Sequence, residues 1–268
     1  MATKESNVKD LLFDYRTLRL TVGIVAMGLP LAVYLSTLTI TSSISASYYT
    51  DARDVFVGLL FVIGALFLAY YGHKDNLLEK WISRIGAIAV FCAAIFPTSC
   101  DLCEPDVKST IHYIAAFILF SSVVYFCLFA FPGSAKAKIA DEEEEKNKLQ
   151  KMGGKEVIHK IDTLVALQRM QARRILFYKT CGFVIAAIML GSVIASFALS
   201  NAIKQAWPIT FIAEAAALEL FGIAWLTASK TLPFLAHEQE RLPLFKRKQQ
   251  GAQVSAKTRA SETILRQR

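Results

Sequence analysis

IHYIAAFILFSSVVYFCLFAF, residues Ile111 to Phe131, runs through 21 positions without an Asp, Glu, Lys or Arg. At about 1.5 Å of helical rise per residue it reaches roughly 30 Å, the thickness of a bilayer's hydrocarbon core. Only a helix or a closed barrel keeps every backbone amide bonded in lipid, and barrels need short strands of alternating polarity instead. The segment therefore reads as a transmembrane helix. Five more windows pass the same test: Leu20 to Ile40, Val55 to Gly72, Trp81 to Pro97, Thr180 to Ser200 and Trp207 to Ser229. The expected fold is all-α, a polytopic membrane bundle of six transmembrane helices.

Basic residues alternate with these windows. One set of segments holds Lys4, Lys9, Arg16 and Arg19; Lys74, Lys80 and Arg84; eleven from Lys136 to Lys179; and nine from Lys230 onward. The other set holds Arg53, Lys108 and Lys204. The positive-inside tendency then puts both termini in the cytoplasm, predicting a multi-pass protein of a bacterial inner (plasma) membrane. The net charge of +8 is mostly this topology signal. It gives little support to a nucleic-acid partner, because the cations are spread over four segments with no aromatic-interleaved groove. Acidic Asp10 and Asp14 and the lack of a small-residue cleavage site predict that the first window is a retained anchor. The length leaves no room for a separate soluble catalytic domain.

The chain divides into a four-span part over 1–131, a cytoplasmic connector over 132–179, two final spans over 180–229 and a basic tail over 230–268. In the connector, Asp141 to Glu145 reads as a solvated acidic loop and Gly153-Gly154 as a break. Ile158, Ile161, Leu164, Leu167 and Met170 recur at helical spacing, predicting an amphipathic helix that leads into the fifth span. Packing on the bundle and docking a partner are both open to it. The tail's LPLFKRKQ stretch suits anionic lipid heads.

Polar residues in or beside the spans carry the chemical information. The first outer loop, Ser42 to Gly58, reads SSISASYYTDARDVFVG. Asp51 or Asp54 is expected to cap the second span, and Ser45, Tyr48, Tyr49, Arg53 and Asp54 are candidate ligand contacts. FPTSCDLCEPD, Phe96 to Asp106, holds a CxxC pair, and Cys100 with Cys103 is a disulfide candidate on an oxidising face. Two thiols are too few for zinc. Cys92, Cys127 and Cys181 are expected to be packing residues. His112 opens the fourth span, an interfacial or hydrogen-bonded residue or a ligand contact. In the sixth span, Glu214 lies about 10 Å deep and Glu219 about 18 Å deep. A carboxylate in hydrocarbon is costly and turns to the bundle interior, and five helical steps set these two roughly 140° apart, too far for one narrow site. Glu214 is expected in an outward-facing polar cavity or paired with Arg53 or His112.

Ser43, Ile44, Ser45, Tyr48, Tyr49, Thr50, Arg53, Asp54, Phe56, Val57 and Gly58, followed by Phe96-Pro97-Thr98, His112 and the Glu214 to Trp225 stretch, resemble a group of bacterial six-span membrane proteins. The likeness covers most of the chain outside the 136–168 insert and the tail. Members usually carry an apolar or aromatic residue where Glu219 stands. In layout the group is distantly similar to the DRAM-like and Frag-like membrane families. The resemblance implies the six-span fold and supplies no activity.

No stretch spells out a cofactor, nucleotide or metal site, so no cofactor or metal is expected. The leading expectation is a non-enzymatic integral protein whose outer cluster of Ser45, Tyr48, Tyr49, Arg53, Asp54, His112 and Glu214 binds a small ligand, a lipid head group or a proton. Alternatives are a non-catalytic scaffold or assembly subunit, whose cluster locks helices together, and an intramembrane lipid-processing enzyme with His112 as base. Membrane lipids and a homo- or hetero-oligomeric partner complete the expectation. A ligand site predicts an open cavity at Glu214; a scaffold predicts a closed, satisfied cluster.

Overall fold

A computed structural model of the chain describes residues 2–72, 76–100, 106–152, 155–200, 203, 206–232 and 235, with side chains from residue 16 onward except at 152–156. Helix α1 covers Ala2–Thr37, a 3₁₀ turn Ser45–Tyr49, α2 Arg53–Ala69, α3 Leu77–Ile95 and α4 Val107–Tyr125. A π-helical turn, Phe126–Ala130, joins α4 to α5, Phe131–Met152; α6 is Lys155–Ala198 and α7 Ile209–Ala228. No strand occurs among the described residues.

Four helices are long and apolar enough to cross a membrane: Arg16–Thr37, Val107–Lys151, Val157–Ala198 and Ile209–Ala228. The chain is a helical membrane protein. Helix α2, with 17 residues, reaches about 26 Å, and α3 opens on Glu79, Lys80 and Arg84. Those two features separate them from the other four.

The helices form an up-and-down ring. Helix α1 packs on α2, α2 on α3 and α3 on α4; α4 and the π turn meet α6, α6 meets α7, and α7 closes on α1. The α1–α7 seam is the most extensive, because Gly23 and Gly222 face each other there: a Cβ on Gly222 would lie 2.8 Å from the Gly23 carbonyl oxygen. Small residues let membrane helices approach to backbone contact. The axis of the ring is filled by aromatic side chains. Trp225, fully buried, has ring centroids of Phe67, Tyr70, Phe126, Phe131 and Phe221 within 5.1 to 6.0 Å.

Two local expectations are corrected, and one feature of the fourth helix is added. The acidic run Asp141 to Glu145 is helical and part of α5. Lys146 pairs with Glu143 at 3.1 Å, Lys148 with Glu144 at 2.5 Å, and the Gln168 amide donates to Glu143 at 2.7 Å, so the run is compensated within its turn and by α6. Pro132 does not end the fourth helix. Proline cannot donate to the carbonyl four residues back and clashes with it; the wider π turn immediately before Pro132 accommodates it, with Phe131 N–H reaching Phe126 O. Finally, Ala52 and not Asp51 stands at the start of α2, with no side-chain cap, because the Thr50 hydroxyl already accepts the Ala52 N–H at 3.2 Å; Asp54 lies in the first turn.

The amphipathic connector is continuous with its span. Helix α6 has 44 residues, about 66 Å, twice the hydrocarbon thickness. Its first half pairs antiparallel with α5. The less exposed positions recur in alternating steps of three and four: Ala135, Ile139, Glu142, Lys146 and Leu149 on α5, Val157, Ile161, Leu164, Gln168 and Gln171 on α6. That is a coiled-coil seam, and its polar members fix the register. The bundle thus has a loop end, holding residues 38–52 and 96–100, and a hairpin end.

Candidate functional site

At the loop end the first loop folds back on α7. Its 3₁₀ turn begins with amides that have no partner inside the turn. Glu214, half-buried in the second turn of α7, supplies one: its Oε2 accepts the Ile44 N–H at 2.7 Å and the Ser45 N–H at 3.4 Å, and the Ser45 hydroxyl joins them. In return the Ser42 carbonyl accepts the Phe211 N–H at 3.1 Å, one of the orphan donors that open α7. Loop and helix each satisfy the other's free ends.

His112 lies elsewhere. It is 2% exposed, in the second turn of α4. Its Nδ1 faces the carbonyls of Phe96 at 2.8 Å and Ala93 at 3.1 Å. Both partners are acceptors, so Nδ1 carries the proton, and the ring ties α4 to the terminal carbonyls of α3. Between the two clusters, Tyr49 donates to the Thr98 carbonyl at 2.6 Å, and Tyr113 joins the hydroxyls of Thr98 at 3.2 Å and Ser99. Partial burial, and behind it the Asp106 carboxylate, holds the Tyr49 phenol above its ordinary value, so it acts as a donor. Arg53 is exposed and stacks on Tyr48, its guanidinium 4.4 Å from the ring centroid and 2.9 Å from the hydroxyl. The seven candidate residues thus fall into three groups: Glu214 with Ser45, Arg53 with Tyr48, and His112 with α3, with Tyr49 bridging toward residues 96–100 and Asp54 exposed in α2.

Cys100 is disulfide-bonded, and Cys92, Cys127 and Cys181 are free. Cys103 lies outside the described residues. Asp106 caps α4, accepting the Ser109 N–H at 2.8 Å while the Ser109 hydroxyl accepts the Asp106 N–H at 2.9 Å, and these bonds hold its carboxyl below the usual range. Glu219 is half-buried. Among the described residues no three His, Cys, Asp or Glu side chains gather to hold a metal.

Glu214→Ala leaves two backbone donors of the loop without their acceptor. The expected cost is about 2 kcal/mol, with faster hydrogen exchange confined to residues 42–50, and a milder effect for Glu214→Gln. Unchanged exchange at Ile44 and Ser45 would refute the lock.

A second polar constellation, at the hairpin end, was not singled out in the sequence. A narrow cleft is lined by Arg19 of α1, Phe131, Ser134, Ala135 and Lys138 of α5, Gln171, Arg174 and Tyr178 of α6, and Thr227, Ala228 and Lys230 at the end of α7. Gln171 is 1% exposed, Arg174 2% and Lys230 8%. The Arg174 guanidinium donates to the Gln171 side-chain oxygen at 3.2 Å and the Leu235 carbonyl at 2.5 Å; Arg19 donates to the Ala228 carbonyl at 3.3 Å and the Tyr70 hydroxyl at 3.1 Å. In the sequence, Gln171, Arg174 and Tyr178 do follow one helical face. Comparison with protein-family models, curated proteins and solved structures finds no match for this chain.

Proposed function

We propose that the chain is a six-span protein of a bacterial plasma membrane, with both termini and the α5–α6 hairpin in the cytoplasm, that works without catalysis as a membrane-embedded scaffold. Helices α2 and α3 complete the six, their charged first turns lying at the water interface. The reading includes the bacterial six-span group that the first loop resembles. The observation that carries it is the hairpin: two apolar helices continue without a break into a coiled coil that stands roughly 20 Å clear of the bundle. A stiff, charged projection of this kind presents a surface and holds it at fixed distance from the membrane. The loop-end polar groups support the same reading, because Glu214, Tyr49 and His112 hold backbone groups of neighbouring segments.

Two measurements test it. Asp51→Cys should react with a membrane-impermeant maleimide on intact cells, and Lys148→Cys only after lysis; the reverse pattern overturns the orientation. A photoreactive residue in place of Ile158, 61% exposed on the hairpin, should yield a discrete adduct with a second protein. If no hairpin position does, the scaffold reading fails. A second reading, a small ligand or lipid head group at the outer face, is favoured by the exposed Arg53–Tyr48 pair, since a guanidinium stacked on a ring still offers its remaining donors.

A further inference from the structure

We infer that two copies of this chain pair through the outward face of α7, with the Glu219 side chains of the two copies meeting at the middle of the bilayer. Glu219 is the eleventh of the 20 residues of α7, about 15 Å from either end of a helix long and apolar enough to cross a membrane. Its azimuth points away from the core. Ala217 and Phe221, two residues to either side and so about 200° round the helix, are buried, while Ile212, seven residues back on the same face, is exposed. Among the described residues the Glu219 carboxyl makes no hydrogen bond and no ion pair. Its neighbours in the ring carry no charge to offer it, because residues 20–37 of α1 and 180–198 of α6 include no Asp, Glu, Lys, Arg or His.

An ionisable group at mid-bilayer turns to the bundle interior, lines water or pairs with another polar group, since leaving it in lipid is costly. Within one chain Glu219 does not turn inward and has no pair, so its partner belongs to another molecule. Symmetry and chemistry select a second copy. Two copies inserted with the same orientation are related by a two-fold axis along the membrane normal, and such an axis brings a residue lying on it to its own counterpart at equal depth. A carboxyl group suits that meeting: once protonated it both donates and accepts, so it is complementary to itself. Two glutamates are short and meet only where the helices come close. Ala216, one turn before Glu219 on the same face, leaves room for that approach, whereas a lysine or arginine on a foreign helix bridges a wider gap on its long stem. The inference needs only that α7 crosses the membrane and is independent of the scaffold reading.

The test is disulfide trapping of the full chain in phosphatidylcholine vesicles with copper phenanthroline as oxidant. Ala216→Cys and Ile223→Cys flank Glu219 on its own face, one turn before and one turn after. Phe117→Cys, exposed on α4, reports random collision, and the unsubstituted chain with its five cysteines gives the background. Lipid is added until Phe117→Cys no longer yields a covalent dimer; at that dilution both α7 variants are expected to yield one. Glu219→Leu, introduced beside Ala216→Cys, removes a polar group from an outward face and is expected to fold, while lowering the yield about ten-fold. Glu219→Gln is expected to keep most of it, because an amide also donates and accepts. An α7 yield no greater than that of Phe117→Cys, a yield indifferent to Glu219→Leu, or a loss as deep with glutamine as with leucine overturns the pairing. Trapping of the same cysteines in native membranes to a different protein in place of the dimer assigns a cation-bearing partner and overturns it too.

Discussion

Gly222→Leu is expected to abolish the native bundle. A Cβ at Gly222 would lie 2.3 Å from Met27 Cγ and 2.8 Å from the Gly23 carbonyl oxygen, and one at Gly23 would lie 2.9 Å from the Gly222 carbonyl. The methionine can turn aside; the backbone oxygen cannot. Accommodating even alanine requires α1 and α7 to separate, and overpacking of this kind costs about 1–3 kcal/mol, more when backbone must move. With leucine the seam that closes the ring opens. Both polar sites depend on that seam, since α7 carries Glu214 toward the loop and the chain on to Lys230 at the hairpin end, while α1 carries Arg19. The variant should lose its monodisperse peak in detergent and expose the loop to protease. Gly222→Ala should be intermediate, and Met27→Ala added to it should recover part of the loss, the part owed to the side chain. A stable, monodisperse Gly222→Leu protein would show that the seam is not set by close backbone approach.

The same geometry explains what could be read from residues alone. The membrane-helix character of Ile111 to Phe131 and Trp207 to Ser229 follows from length and missing charge, and the structure makes both regions helical with the stated polarity. The helix through Ile158, Ile161 and Leu164 was legible from spacing. Its lead into the apolar segment that follows was legible as well, and the structure makes the two one continuous helix. The continuity of the helix through Pro132 was not foreseen, because a π turn that makes room for proline has no residue signature. Depth along α7 put Glu214 near the first outer loop, but its partners are the amides of Ile44 and Ser45, and backbone groups are the same at every position of a sequence. His112 has the same explanation, its partners being carbonyls of Ala93 and Phe96. The cleft was hidden by its own cations. A lysine or arginine at the end of a span reads as a topology signal, and whether it turns outward to water, as Lys179 does, or inward, as Arg174 and Lys230 do, depends on the azimuth of its helix and on one left-handed residue.

Arg19→Met is expected to cost about 3 kcal/mol, through a carboxylate it does not need to touch. Glu79, 1% exposed on α3, accepts the Tyr70 hydroxyl at 2.5 Å, and Tyr70 accepts from the Arg19 guanidinium at 3.1 Å. The direction is fixed from cation through phenol to carboxylate, and it ties α1 and α3 together through the residue that follows α2. The guanidinium also lies 5.6 Å from the Tyr70 ring and 5.9 Å from that of Phe131, so its loss removes favourable contact with two rings as well. Breaking a fully buried pair costs about 3–5 kcal/mol, because the remaining charge stays where water cannot reach it; Arg19 is half-buried and acts through a phenol, which places it at the lower end. Tyr70→Phe keeps the ring against Trp225, 5.1 Å away, and cuts only the relay, so it should approach the same loss. The decisive comparison is the cycle with Glu79→Gln. Each single variant already breaks the relay, and the double variant breaks it only once, so its cost should fall short of the sum by about 1–2 kcal/mol. Denaturation of the four proteins in one detergent measures it. Strict additivity would mean that Arg19 and Glu79 stabilise the bundle separately, and that the phenol between them is packing and not a conductor of charge.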